Sequence, residues 1–132
     1  MSKVVLITGG SSGIGKAIGE YLNLFSYKVY GTSRTPSKYS DTVKMPLLAL
    51  DVTKPETITQ AITEIIEKEG KIDVLINNAG VGITGPIEET PSDEIKKAFD
   101  TNFFGPLEVI KAVVPQMRKQ KSGLIINITS ID

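Results

Sequence analysis

Residues 4–15 read VVLITGGSSGIG, and this stretch decides the fold class. Its first four residues are all apolar, which is typical of a strand buried on both faces of a sheet. Gly9, Gly13 and Gly15 follow, and glycine tolerates the backbone angles of a tight turn from a strand into a helix. Apolar residues then recur on one helical face, at Ala17, Ile18, Tyr21, Leu22 and Phe25. The stretch therefore predicts a strand, a glycine-rich turn and a helix in succession.

Four more short apolar segments alternate with stretches of helical periodicity. We predict strands at residues 28–32, 47–50, 72–76 and 124–128, and a loop with at most one weak helical turn at residues 36–45. Strands and helices that alternate in this way form parallel pairs joined by right-handed crossovers. The sequence therefore predicts one α/β domain over residues 1–132, built on a doubly wound parallel sheet of five strands.

The helix after the third strand has clear start and stop signals. It begins at Pro55, where Thr53 and Glu56 have the spacing of a capping box. Gly70 is placed to end it, because glycine adopts the left-handed conformation of a helix C-cap.

The next helix is longer and interrupted. We expect it to begin at Pro91 with Thr90 as N-cap, and to kink near Gly105 and Pro106. Its inner face is predicted to contain Ile95, Ala98, Phe99, Phe103, Ile110, Val113, Val114 and Met117.

Composition excludes several function classes. The 132 residues contain no Cys and no His, so disulfides, thiol nucleophiles, imidazole bases and thiolate or imidazole metal sites are excluded within them, and we expect no metal site. Lys and Arg total 15 and Asp and Glu total 15, so no net charge favours nucleic acid or a membrane as partner. All apolar runs are far shorter than the roughly 20 residues of a membrane span. We therefore expect a soluble protein of the reducing cytoplasm.

Polar or glycine-rich residues follow every predicted strand. In open parallel sheets, ligands bind outside the carboxyl ends of the strands. The residues at these ends are Gly9, Ser11, Ser12, Gly13, Ile14 and Gly15 after the first strand, Ser33 and Arg34 after the second, Asp51 and Val52 after the third, Asn77, Asn78, Ala79 and Gly80 after the fourth, and Thr129 and Ser130 after the fifth. Their clustering predicts a ligand site at this edge.

The glycine-rich turn is suited to a pyrophosphate. The helix after it presents unpaired N–H groups and the positive end of its dipole. The spacing Gly-x-x-x-Gly-x-Gly differs from the common Gly-x-Gly-x-x-Gly fingerprint, and a glycine-rich turn without ligand is the alternative.

The end of the second strand favours NADP(H) over NAD(H). Ser33 lies 18 positions after Gly15, where a carboxylate would bind ribose hydroxyls and repel a 2′-phosphate. Ser33 is neutral, and Arg34 can clasp a phosphate with two parallel hydrogen bonds. The alternative is that Arg34 is a solvated surface residue.

Asn102 and Ser130 are weaker signals. The spacing of Asn102 from Phe99 places its amide on the apolar face of its helix, where a buried amide requires partners. It either contributes to the site or ties the kink near Gly105 to a neighbouring backbone. Taken alone, a Ser at a strand end, such as Ser130, is typical of a turn.

These residues resemble motifs of the short-chain dehydrogenase/reductase family, in family order along the whole chain. The similar segments are the cofactor loop from Thr8 to Gly15, the adenine-contacting pair Asp51-Val52, the motif Asn77-Asn78-Ala79-Gly80, the active-site Asn in Thr101-Asn102, and Asn127-Ile128-Thr129-Ser130, which ends in the active-site Ser.

The resemblance implies a Rossmann sheet and a homo-oligomeric enzyme that interconverts small-molecule carbonyls and alcohols with NAD(P)(H). Ser130 would hydrogen-bond the substrate carbonyl, and Asn102 would position a water in a proton relay. Gly9, Gly13, Ile14 and Gly15 would line the pyrophosphate, and Asn78, Ala79 and Gly80 the adenosine side.

One family feature is missing from these residues. The family's acid–base pair is a Tyr followed four residues later by a Lys, whereas Tyr21, Tyr27, Tyr30 and Tyr39 are followed there by Phe25, Gly31, Arg34 and Val43. Loss of a general acid typically costs about 10²–10⁴ in rate, so we expect little activity from this chain alone. We therefore expect an enzyme truncated after its fifth strand, with an uncovered sheet edge and apolar face. A non-catalytic dinucleotide-binding or interaction module is the alternative.

Overall fold

The structure, a computed structural model, describes residues 2–81 and 85–129. Its five strands form one parallel sheet in the order β3-β2-β1-β4-β5, which confirms the predicted doubly wound α/β architecture. The helices and strands are β1 (Val4–Ile7), α1 (Gly13–Asn23), β2 (Lys28–Ser33), β3 (Leu47–Ala49), α2 (Pro55–Glu69), β4 (Val74–Asn77), α3 (Ser92–Phe99), α4 (Gly105–Gln120) and β5 (Leu124–Asn127). Short 3-10 turns occupy Pro36–Tyr39 and Ile87–Glu89, and a π-helical segment, Asp100–Phe104, joins α3 to α4.

The sheet separates two apolar clusters. On the face covered by α2 and α4, Leu6, Leu75 and Ile65 are fully buried with their neighbours. On the face covered by α1, a smaller cluster includes Ile7 and Val29. Alternate residues of β1 therefore serve opposite clusters, which explains why this strand is apolar throughout.

Helix α1 packs on the sheet through Ile18 and Leu22, as the periodicity predicted, and also through glycines, which it did not predict. Gly15 and Gly19 are its buried residues, whereas Tyr21 and Phe25, predicted to face inward, are 63% and 57% exposed. The Met45 thioether lies so close to Gly19 that a side chain there would overlap it. The missing side chains let the helix approach the sheet closely, while the rings of Tyr21 and Phe25 stay exposed.

Helix α2 begins without the predicted capping box. Lys54 is the N-cap residue and forms no side-chain capping bond, while Thr53 donates to Asp51 instead. The predicted end is confirmed, since Gly70 adopts a left-handed conformation with φ of 78° and donates its N–H to the carbonyl of Ile66.

The long helical stretch has the interruption expected near Gly105, but its start and its inner face differ from expectation. It begins at Ser92 with Pro91 as N-cap, and the irregularity is the π segment ahead of Gly105. The wider turns of this segment shift the helical phase, which leaves Phe99 and Phe103 more than half exposed. Val109, which the periodicity omitted, is fully buried beside Val113.

Across the described ranges, every helix is too short or too polar to cross a lipid bilayer.

Candidate functional site

A cleft of about 640 Å³ lies along the carboxyl ends of β1, β2, β3 and β4, as predicted. This volume falls within the roughly 300–1,000 Å³ of small-molecule sites. Its walls are residues 32–35, 50–53 and 78–81 from three strand ends, with Gly9, Ser11, Ser12, Tyr39, Lys97, Asp100 and Thr101.

The glycine-rich turn is held against the ends of two strands. The N–H of Gly10 donates to the Thr32 carbonyl at 2.9 Å, and that of Gly9 donates to Thr32 Oγ1 at 3.2 Å. Gly9 has φ of 70°, and a Cβ there would lie 3.0 Å from the Cα of Ala79. Ser12 makes no side-chain capping bond with α1, so the first-turn N–H groups remain available to an anion.

The turn is also joined to the end of β4 by two side chains. Thr8 Oγ1 accepts hydrogen bonds from the backbone N–H groups of Asn78 and Ala79, at 3.0 and 3.1 Å. The Asn78 amide donates to the Gly9 carbonyl at 3.1 Å. Asn78 therefore fixes the floor of the cleft.

Ser33 and Arg34 differ in their surroundings. Ser33 is 7% exposed, and its Oγ accepts the N–H of Thr35 at 3.1 Å, which shapes the turn after β2. Arg34 is exposed at the rim of the same cleft. The turn thus presents a guanidinium to the cleft without a carboxylate at position 33.

Asp51 and Arg34 both line the cleft. Partial burial acts to raise the pKa of the Asp51 carboxyl, but hydrogen bonds from Thr53 and the charges of Lys54 and Arg34 outweigh it and lower the pKa below its ordinary value. The carboxylate is therefore ionised at neutral pH and accepts hydrogen bonds only.

Asn102 is exposed, which corrects the expectation of a buried amide on an apolar face. Its Oδ1 accepts the N–H of Val81 at 2.8 Å, and its Nδ2 donates to the Val81 carbonyl at 2.7 Å. Asn102 therefore ties the π segment to the loop after β4, and Gly80 leaves room for its oxygen. This agrees with the reading that the residue anchors an irregular helix to a neighbouring backbone.

The cleft gathers most of the predicted cofactor residues but not all. Gly9, Ser11, Ser12, Ser33, Arg34, Asp51, Val52, Asn78, Ala79 and Gly80 line it. Gly13 and Ile14 lie at the exposed start of α1, and Gly15 packs beneath the turn. Ser130 lies outside the described residues.

Several residues that line the cleft were not predicted from the sequence. Tyr39 reaches the cleft from the 3-10 turn after β2, and Lys97 and Thr101 reach it from the α3 end of the long helical stretch. No local motif or spacing singles out these residues, because their place in the cleft depends on how the turn and the long helical stretch pack. Within the described part of the chain, no cluster of three or more His, Cys, Asp or Glu side chains could hold a metal.

A family model described as "short chain dehydrogenase" matches residues 3–132. The chain belongs to the short-chain dehydrogenase family. It is 47% identical over 129 residues to 3-ketodihydrosphingosine reductase of Bacteroides thetaiotaomicron, with 98% of this chain and 47% of that protein covered.

Two solved structures have the same fold. A short-chain dehydrogenase from Streptomyces avermitilis has a TM-score of 0.88 and 37% identity, covering 98% of this chain and 50% of that one. ElxO with NADP bound has a TM-score of 0.83 and 37% identity, covering 99% and 56%. The chain thus spans about half the length of the relatives it matches.

Proposed function

We propose that the protein is an NADP(H)-dependent oxidoreductase that interconverts a carbonyl and an alcohol by hydride transfer, and that these 132 residues are its coenzyme-binding part. The observation that carries the proposal is Arg34 at the cleft rim, next to a Ser33 that presents no carboxylate. Two relatives support it, since one is named as a reductase of a keto compound and the other holds NADP.

The residues of the cleft fit such a coenzyme. The first-turn N–H groups of α1 are free for a diphosphate, and Gly9 lets it approach the backbone. Arg34 would pair with the 2′-phosphate, while Asp51 and Val52 would hold the adenine. When bound, the coenzyme supplies or accepts the hydride.

Two residues are proposed to act on the substrate side. Ser130 would donate a hydrogen bond to the substrate carbonyl. Asn102 would position a water through the lone pair of Oδ1 that Val81 does not use, while its amide keeps the loop after β4 in place. We also propose a small-molecule substrate, a homo-oligomeric enzyme and a cytoplasmic location.

Replacement of Arg34 tests the cofactor preference. We expect NADPH to bind more tightly than NADH, and Arg34→Ala to weaken NADPH roughly ten- to a hundredfold while leaving NADH nearly unchanged, as a charged hydrogen bond is lost. Dissociation constants from calorimetry measure both. Lys38→Ala is the matched control, because it also removes one positive charge. The Lys38 ammonium lies 5.7 Å from the ring centre of Tyr39. Equal affinities for the two coenzymes would reject the proposal.

A non-catalytic dinucleotide-binding module is the second candidate. Such a module would need only the coenzyme cleft that the strand ends form. The natural protein would then bind NADPH but show no oxidation of it in a screen of ketones and aldehydes, whereas turnover of any of them would exclude this candidate.

A further inference from the structure

Met45 fills the space that three glycines leave open between α1 and β2. A Cβ on Gly10 would lie 3.1 Å from Met45 Cε, and one on Gly31 would lie 3.1 Å from the same Cε and 3.2 Å from Sδ. At Gly19 the Sδ and Cε atoms of Met45 come closer still. Gly10 belongs to the turn after β1, Gly19 to α1 and Gly31 to β2. One thioether therefore packs against the turn that lines the cleft and against both elements beside it.

The backbone N–H groups of these glycines are already used. The N–H of Gly10 donates to the Thr32 carbonyl at 2.9 Å, and that of Gly31 donates to the Pro46 carbonyl at 2.9 Å. The N–H of Gly19 lies inside α1, where the carbonyls of the helix accept it. An oxygen atom added to the sulfur would therefore bring extra volume and a buried acceptor into a place whose donors are occupied.

Met45 also lines a surface hollow of about 320 Å³. The other residues of this hollow are Pro36, Ser37, Ser40, Pro46 and Leu47. A water molecule takes about 30 Å³ in the liquid, so the hollow has room for hydrogen peroxide, which is little larger than water. Met45 is 7% exposed, and the hollow gives a small oxidant a route to it.

Met117 is an internal comparison for Met45. It is equally buried, at 8% exposure, and its side chain likewise fills the space beside a glycine, Gly123. Met117 belongs to the apolar cluster on the other face of the sheet, and it is absent from the described linings of the cleft and of the hollow. The two methionines therefore differ in their access to the surface and in their contact with the glycine-rich turn, and they hardly differ in burial.

We propose that Met45 is a modification site, at which a peroxide oxidises the thioether to a sulfoxide and thereby weakens coenzyme binding. A lone pair of Sδ attacks one peroxide oxygen, the O–O bond breaks and an S–O bond forms. The transferred oxygen gives its proton to the departing hydroxide, and water leaves. Sulfur is oxidised and the peroxide is reduced.

The product explains the effect on the cleft. A sulfoxide is larger and more polar than a thioether, so it displaces the turn at Gly10 and the helix at Gly19 that pack against Met45. The effect on the coenzyme rests on the proposed dinucleotide function, whereas the modification itself does not.

The experiment treats the folded whole chain with hydrogen peroxide, which is removed before any titration. Peptide mass spectrometry follows each sulfoxide, and we expect Met45 to be oxidised at least about tenfold faster than Met117. Calorimetry should show the dissociation constant of NADPH raised about tenfold, and the urea midpoint should fall. Methionine sulfoxide reductases should reverse both changes, because they restore the thioether.

Two variants are matched for this test. Met45→Leu and Met117→Leu each remove one sulfur and keep an apolar side chain of similar volume. For each, the NADPH dissociation constant and the urea midpoint are compared before and after peroxide treatment. We expect peroxide to change neither quantity in Met45→Leu and to change both in Met117→Leu as in the wild type.

The outcomes separate this inference from the proposed function. The inference is overturned if Met45 is oxidised no faster than Met117, if oxidised Met45 leaves NADPH affinity unaltered, or if peroxide weakens Met45→Leu as much as the wild type. If the untreated chain does not bind NADPH, the proposed function fails and the urea midpoint decides. A fall in the wild type that Met45→Leu abolishes then supports the modification site, and an equal fall in both, or none, overturns it.

Discussion

At the scale of single residues, Gly15 shows how tightly the turn after β1 is packed. A Cβ at this position would overlap the carbonyl oxygen of Gly9 and the side-chain amide of Asn78. We therefore expect Gly15→Ala to lower the free energy of unfolding by about 1–3 kcal/mol, the usual cost of overpacking. Because both overlapped groups support the cleft floor, NADPH affinity should fall as well. Urea denaturation and calorimetry measure the two effects.

Gly70→Ala is the control for this substitution. Gly70 has φ of 78°, and nothing lies within 4 Å of the position that its Cβ would take. The substitution should lower the free energy of unfolding by about 1–2 kcal/mol, because a residue with a Cβ is strained in the left-handed backbone conformation, and NADPH affinity should not change. If Gly15→Ala leaves coenzyme affinity as unchanged as Gly70→Ala does, the packing account of the turn is wrong.

The cleft residues that the sequence predicted are those that come directly after a strand. The glycine turn, Arg34 and Asp51 each follow a strand, so their convergence follows from a parallel sheet. The positions of Tyr39 and Lys97 in the cleft depend on how a short turn and a distant helix pack, and no local sequence pattern encodes that packing. The burial of Asn102 was predicted wrongly because the π segment changes the residue spacing per turn.

At the scale of elements, Asp73 joins three strands at the edge opposite the cleft. Its Oδ2 accepts the N–H of Val4 at 2.8 Å and lies 3.0 Å from Lys71 Nζ. Its backbone exchanges hydrogen bonds with Val4 and Leu124, at the starts of β1 and β5. The carboxylate thus holds the start of β1, while the backbone of the same residue joins β1 and β5, which the chain separates by many residues.

This arrangement predicts a pH dependence of stability. Partial burial acts to raise the pKa of Asp73, but the Val4 N–H and Lys71 outweigh it, so the pKa in the folded state lies below the ordinary 3.8. The unfolded state binds the proton more readily, so the stabilisation is present above pH 3.8 and is lost as the pH falls through the folded-state pKa.

Asp73→Asn should therefore lower the free energy of unfolding by about 1 kcal/mol at pH 7 and make that free energy depend less on pH in the acid range. Urea denaturation at a series of pH values measures both. Asp41→Asn, in an exposed loop, changes the net charge equally and should do neither. An acid slope that persists in Asp73→Asn would contradict the assignment.

The positions of the helices and strands were largely predictable from the sequence, but the buried faces of α1 and of the long helical stretch were predicted only in part. Strand positions agree closely because buried parallel strands are continuous apolar runs. In helix α1 the apolar pattern predicted the packing of Ile18 and Leu22 but wrongly placed Tyr21 inward. The pattern also missed Gly15 and Gly19, since these sheet-facing residues have no side chain that would count as apolar. A pattern of hydrophobic residues does not reveal a helix face that packs closely on the sheet through glycines.

At the scale of the whole molecule, the two faces of the sheet are covered unequally. Leu124 and Ile126 pair in register with Val74 and Ile76, so they project to the face that carries α1. They are 54% and 39% exposed, whereas Ile125 on the opposite face packs against the larger cluster. Among the described residues, apolar side chains of β5 are therefore exposed on the face that carries α1.

We expect this face to make the 132-residue chain self-associate, because contiguous exposed apolar surface at a sheet edge favours pairing. Sedimentation velocity at several concentrations should show a mass that rises with concentration. Ile126→Thr keeps a β-branched residue in the strand but removes apolar surface, and should shift the equilibrium toward monomer. Phe103→Ser, on the exposed helical stretch, is the comparison. If Phe103→Ser disperses the assembly and Ile126→Thr does not, the helix is the associating surface; a mass independent of concentration would refute self-association on either surface.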